Sequence, residues 1–179
     1  MFEVVEISDA CFVHLLLHVY RGPMLLSGTS IPPSERVRDL GVIVDSDLSL
    51  AGHVNYVTGL CFHHIRQMRL IRRSLSNDVA HTLARAMIHS RLDYCNGLLA
   101  CLPAWQMTRL QSILRAAARF VLQLPDCAPV SAAMRDSLHW LTFPQRVTYK
   151  LCLLTYKCLH GLAPPYLARL CVPVSALPG

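Results

Sequence analysis

From Val54 onward the chain sets an apolar residue at every third or fourth position: Val54, Val57, Cys61, Ile65 and Met68, then Ile71 or Arg72. Steps of that size return to one side of an α-helix, whose period is about 3.6 residues. A stripe sustained this long predicts a single amphipathic helix ending near Arg73, and such a stripe is stable only where other elements cover it. The rest of the chain has to supply that cover.

Downstream, the pattern stays helical. Ser76 is placed to cap a new helix with Asp78 in its first turn, and Leu83, Met87 and Tyr94 extend an apolar stripe to about Ala100. Pro103 suits the first turn of the next helix, whose stripe is Leu110, Ile113, Leu114, Ala117 and Val121. "LPDCAPV" reads as a loop, followed by a short helix from about Ser131 to Leu138. Pro144 opens a helix with Val147, Leu151, Leu154 and Cys158 on one face and Tyr149, Leu153 and Tyr156 on another, a pattern expected to be buried on most sides. Gly161 ends it, and Pro164 and Pro165 forbid continuation.

Upstream of the long helix, "VRDLGVIVD" (37–45) reads as a strand containing Gly41 and stopped by Asp45. Residues 1–35 read as an irregular segment in which "FEVVEI" can form a short strand and "SGTSIPPS" is a loop. The expected fold is mostly α, a bundle of about five helices with a short N-terminal β element. The expected organisation is an irregular segment 1–35, a helical domain 36–171 and a tail 172–179.

Hydrophobic residues make up 53% of the 179 and charged ones 16%, which excludes a disordered chain. So large an apolar share points to a deeply buried helical body or to a surface that lies against a partner protein. The net charge of +6 comes mostly from arginine, since Lys150 and Lys157 are the lysines. Arginine favours bidentate contact with phosphate or carboxylate, yet solvated arginines on any helical protein give the same count, and composition leaves both open. "ACFVHLLLHVY" is too short to span a bilayer, is interrupted by His14 and His18, and follows acids rather than the basic residues of a signal peptide. An intracellular protein with no membrane partner is expected.

Eight cysteines include no CxxC pair and fall mostly in apolar helical stretches, as small hydrophobes do. Reduced core thiols are expected rather than disulfides or zinc. Asp45 and Asp47 have a spacing able to hold a divalent ion, but no third carboxylate is near, so strand closure and turn capping are the expected roles. His14 and His18 are one helical turn apart without the glutamate of a metalloprotease helix, and neither His63 nor His64 pairs with a second ligand at helical spacing that also has a cysteine or acid beside it. No cofactor is expected.

The stretch from Asp93 to Gly97 sets an acid, a phenol, a thiol and an amide side by side. His89 lies on a different helical face from Cys95, so the thiol has no base. Packing is expected: Asp93 and Asn96 as buried or half-buried polar groups, Tyr94 and Cys95 on apolar steps, and Gly97 admitting a close neighbour. Arg66, Arg69 and Arg73 share one helical face, and Arg115 and Arg119 are a turn apart on another. Like charges at that spacing repel unless an anion is near, so these five are the candidate nucleic-acid contacts, with a solvated face as the alternative.

Five blocks in order carry a family resemblance: "VRDLGVIVDSDLSLAGHV", "SRLDYCNGLL" with "LP", "LQSILRAAARF", "LHWL" and "YKCLHGLAPPYL". Together, from about residue 31 to 170, they resemble the segment that follows the polymerase palm in reverse transcriptases of vertebrate non-LTR (LINE-type) retrotransposons. The resemblance implies a thumb-like, template-handling part. The polymerase chemistry of that family rests on palm carboxylates, including an aromatic-x-Asp-Asp turn holding two metals. This chain has no adjacent Asp-Asp, and Asp45 and Asp47 match the downstream turn. The expectation is a non-enzymatic fragment able to touch RNA or RNA–DNA hybrid backbone. A helical protein-interaction module and a translated relic without function are the alternatives.

Overall fold

The computed structural model describes residues 24–32, 34–169 and 171. They are mostly helical. The order is β1 (Met24–Leu26), β2 (Thr29–Ile31), β3 (Arg36–Asp39), β4 (Val42–Asp45), α1 (Ala51–Ile71), α2 (Asn77–Ala84), a π-helical turn (Arg85–His89), α3 (Ser90–Asp93), α4 (Ala104–Leu122), α5 (Ser131–Asp136), α6 (Phe143–Leu159) and α7 (Pro165–Ala168). Two compact units result, one of residues 36–151 and one of the flanking residues. "FEVVEI", His14, His18 and Cys11 lie outside the described residues.

Within 36–151 the core is a helical sandwich built on α1 and α4. Val54, Val57, Cys61, Ile65 and Met68 are buried, as their spacing requires, and they meet Leu110, Ile113, Leu114, Ala117 and Val121 of α4. Small Ala116, Ala117 and Ala118 let the neighbouring helices come close to α4. Ser76 caps α2 by accepting from Val79 N, and Asp78 stands in the first turn.

Four expectations change. First, 37–45 is a hairpin, not one strand: β3 and β4 pair antiparallel with Arg36 opposite Asp45 and Asp39 opposite Val42. The reversal at Leu40 and Gly41 has φ of 45° and 87°, both left-handed, which matches the twist of a two-residue hairpin turn. Similarly, part of the expected "SGTSIPPS" loop is strand, since Thr29–Ile31 pairs with Met24–Leu26 around Ser27 and Gly28.

Second, the helix expected to reach Ala100 stops at Asp93. Tyr94 is extended and Cys95 left-handed (φ 52°), and a 3₁₀ turn, Asn96–Leu99, follows. Third, the buried stripe of this region is Ala80, Ala84, Ile88 and Leu92, with Leu83 and Met87 only partly buried at its edge. Steps of four overrun an α-helical turn, and the wider π-helical turn at Arg85–His89 absorbs the excess. Fourth, α6 buries Phe143 and Val147 alone. Tyr149, Leu154, Tyr156 and Leu159 are exposed.

Around the hairpin, Asp45 organises the entry to α1. Its carboxylate accepts from Ser49 Oγ and from Leu50 N at 3.2 Å, and Ser49 Oγ accepts in turn from Ala51 N at 3.3 Å. Partial burial pushes this carboxyl up, but those hydrogen bonds outweigh it and hold it below the ordinary range. In the flanking unit, Leu162 N donates to Lys157 O at 2.8 Å across left-handed Gly161, which closes α6. No described helix is long and apolar enough to cross a membrane.

Candidate nucleic-acid interface

The five arginines singled out by spacing have different surroundings. Arg66 and Arg73 are exposed, and neither has a hydrogen bond or ion pair to any described residue. Arg69, between them, makes a two-pronged pair with Asp126 at 2.7 and 3.3 Å. Arg119 is half-buried and gives Nε and Nη2 to Ala128 O at 3.3 and 3.2 Å. Both pin the 124–130 loop, one from α1 and one from α4. Arg115 is half-buried and has no acceptor among the described residues. The structure therefore leaves Arg66, Arg73 and Arg115 open and gives Arg69 and Arg119 work inside the fold.

Arg72, next to the open pair, is buried and was not among the spacing candidates. Its guanidinium donates to Phe120 O (2.8 Å), Val121 O (2.8 Å), Leu75 O (2.9 Å) and Asn77 Oδ1 (2.7 Å). In the amide orientation that satisfies both groups, Gln123 Oε1 accepts from it as well, at 3.0 and 3.1 Å. Arg72 thus stitches the last turn of α4 to the junction between α1 and α2.

The stretch at 93–97 joins elements rather than forming a reaction centre. Asp93 accepts from Arg146 of α6 at 2.8 Å. Tyr94 is half exposed, not on the buried stripe, and donates its hydroxyl to Leu40 O, clamping the hairpin turn. The neighbouring Cys95 thiol is the main reason that the Tyr94 phenol titrates above its ordinary value. Asn96 is buried with Oδ1 lacking a partner. A Cβ on Gly97 would sit 3.7 Å from Leu151, ordinary contact, so this glycine is not demanded by crowding.

Sequence reasoning passed over a second network behind Asp93. Arg146 also donates to Leu141 O at 3.1 Å and approaches His89 Nδ1 at 3.2 Å. His89 is buried with its ring 4.2 Å from that of Trp140. Burial foremost, then the charges of Arg146, His81 and Arg85, push its pKa down to about 3, so it is neutral and Nδ1 accepts from Arg146. The signal was the trio His89, Asp93 and Arg146, invisible until α3 and α6 are neighbours.

Among the described thiols, Cys61 alone is fully buried, and burial pushes it up to about 11, which leaves it unreactive. Cys95, Cys158 and Cys171 are half-buried, and Cys101, Cys127 and Cys152 are exposed, which corrects the expectation of mostly buried cysteines. No disulfide joins the described cysteines. His63 is exposed, and His64 is held below its usual pKa by burial, Arg91 and His63. Among the described residues no three His, Cys, Asp or Glu are grouped to hold a metal.

Comparison with protein-family models, with curated proteins and with solved structures found no match to this chain.

Proposed function

We propose that the chain is a non-catalytic fragment of LINE-type reverse-transcriptase descent that touches the sugar–phosphate backbone of RNA or RNA–DNA hybrid. One observation carries this reading: Arg66 of α1 and Arg73 of the 3₁₀ turn that follows it (Arg72–Ser74) are exposed and without an acceptor among the described residues. Two unpaired guanidinium groups seven residues apart, in a chain of net charge +6, make a positive surface that attracts an anion. Arg69 lies between them, and an exposed pair such as Arg69–Asp126 is worth at most about 1 kcal/mol, so a phosphate can replace that carboxylate. The block resemblance supplies the class of partner, and it covers the part downstream of the polymerase carboxylates, so the reading contains no polymerase step.

Binding of a labelled RNA–DNA hybrid, followed by anisotropy across a salt series, tests it. Affinity is expected to fall steeply with salt and to vary little with base sequence. Replacing Arg66 and Arg73 by glutamine keeps a good helix former and should flatten the log–log slope by up to about 0.9 per lost contact. A folded sample that shows no salt-dependent binding to hybrid or RNA at low ionic strength removes the proposal.

The exposed apolar residues favour a second reading, a helical module whose partner protein covers them. Tyr149, Tyr156, Leu159 and Tyr166 are each about half exposed or more, with Tyr166 at 68%. That reading predicts salt-insensitive association with a protein and no hybrid binding.

A further inference from the structure

A groove of about 670 Å³ opens within residues 36–151, walled by α4, α5 and the segment that leads into α6. Its polar lining is one-sided. No aspartate or glutamate lines it, whereas Arg115, Arg135 and His139 do. Arg135 is engaged by its neighbour Asp136 at 2.8 Å, but Arg115 comes to the wall half-buried with no acceptor among the described residues. Partly desolvating a guanidinium without a partner is unfavourable, so its position asks for an anion.

The amides of the lining point to the same ligand. Gln111 Oε1 accepts from Phe143 N at 2.6 Å, and Gln145 Oε1 accepts from Thr142 N and Oγ1, both at 2.9 Å. With each oxygen committed to a donor, the amide orientation is settled and each NH₂ is left as a donor. Trp140, another lining residue, is 7% exposed and its Nε1–H is buried without an acceptor. That indole N–H has no exposed surface, so the unused donors of the lining come from three side chains, Arg115, Gln111 and Gln145. A guanidinium flanked by amide donors, with no acid in the lining, suits the higher charge and three terminal oxygens of a phosphate group. The volume falls within the roughly 300–1,000 Å³ of small-molecule pockets, so an organic body can accompany the phosphate.

We infer that this groove is a binding site for a phosphate monoester of nucleotide size, with Arg115 as its principal anchor. The site is independent of backbone contact by Arg66 and Arg73. The ester reaches it either as a free mononucleotide or as the 5′-phosphate end of a strand, which present the same chemistry.

The full chain carrying Trp105→Phe tests this, because Trp105 is exposed and its removal leaves Trp140 as the single indole reporter. Adenosine 5′-monophosphate is expected to change Trp140 emission saturably, and adenosine is not. Arg115→Gln should weaken binding about tenfold or more, the value of a charge-assisted hydrogen bond. Gln145→Glu guards against misfolding as the explanation: it keeps the oxygen that accepts from Thr142 and puts an acid in the first turn of α6, where the helix dipole favours it. That variant should hold or raise its melting temperature while losing the nucleotide.

An oligonucleotide bearing a 5′-phosphate that displaces the nucleotide, where its 5′-hydroxyl twin does not, assigns the site to strand ends. Failure of both to displace it assigns the site to the free ester. The Arg66→Gln, Arg73→Gln protein should bind the nucleotide normally, which separates this site from the α1 reading. The inference is overturned if millimolar nucleotide gives no saturable response, if adenosine matches it, or if folded Gln145→Glu binds undiminished.

Discussion

Arg72 shows how much a single side chain can carry where two helix ends meet. The last carbonyls of an α-helix have no partner within it, and the negative end of the dipole lies there too. A guanidinium answers both needs: at Phe120 O and Val121 O it satisfies carbonyls of the α4 terminus with charge-assisted bonds while also holding Leu75 O and Asn77 Oδ1. Arg72→Met keeps the apolar stem but orphans these acceptors, and each bond to a charged donor is worth about 1.5–3 kcal/mol. Urea unfolding is expected to show a loss of about 3 kcal/mol or more. Arg72→Lys should fall between the two, since one ammonium cannot span the same fork. A Met variant within about 0.5 kcal/mol of the parent, the range of ordinary surface changes, would show that the network does not stabilise the fold. None of this was legible from spacing, which placed Ile71 or Arg72 on the stripe without the carbonyls that come from α4. The same limit applies to the candidate interface. Arg69 and Arg119 look like Arg66 and Arg115 in sequence, and only the folded 124–130 loop brings Asp126 and Ala128 O to the first two.

At the scale of elements, the long helices were readable because period and burial agree: the five apolar steps of α1 and the five of α4 are all core. The hairpin was not, because its turn lacks the usual residues. Left-handed backbone is cheap for Gly41 but costs a leucine roughly 1–2 kcal/mol, and Leu40 is 83% exposed, so packing gives nothing back. What holds the turn is Tyr94, which binds Leu40 O and sets its ring 3.6 Å from where a Cβ on Gly41 would stand. Leu40→Asn keeps that backbone carbonyl and relieves the strain. It should stabilise the protein by about 0.5–1 kcal/mol, read as a higher melting temperature. Leu40→Val should lower it, since a branched Cβ suits this conformation worse. Equal melting temperatures for the two would mean that the turn is not strained as described. The misjudged burial of α6 has a different cause. Its apolar residues do lie on several sides, but hydropathy reports what a helix could bury, and here only Phe143 and Val147 find full cover.

For the unit of residues 36–151 as a whole, the neutral histidine in its interior couples stability to pH. His89 faces Arg146 of α6, the ring of Trp140, and His81 and Arg85 from its own helical stretch, with Asp93 on the far side of Arg146. Its folded pKa of about 3 lies below the ordinary 6.5. Between those values the unfolded chain binds a proton at this position and the folded chain does not, so stability rises with pH across that window. Acidification from 6.5 towards 3 should therefore destabilise the fold by up to about 1.4 kcal/mol per pH unit from this group, and the loss should level off below the folded pKa. His53, His64 and His81 are shifted the same way, each by burial first, and the lowered Asp45 adds in the same direction. The steepness of the parent curve alone thus does not identify His89. His89→Gln separates it, because an amide oxygen can still accept from Arg146 and does not titrate. Denaturant midpoints measured from neutral to acid pH should fall less steeply for His89→Gln than for the parent, and the two proteins should converge as pH drops towards 3. Parallel curves across the whole range would mean that the buried imidazole takes up its proton in the folded state as readily as in the unfolded one.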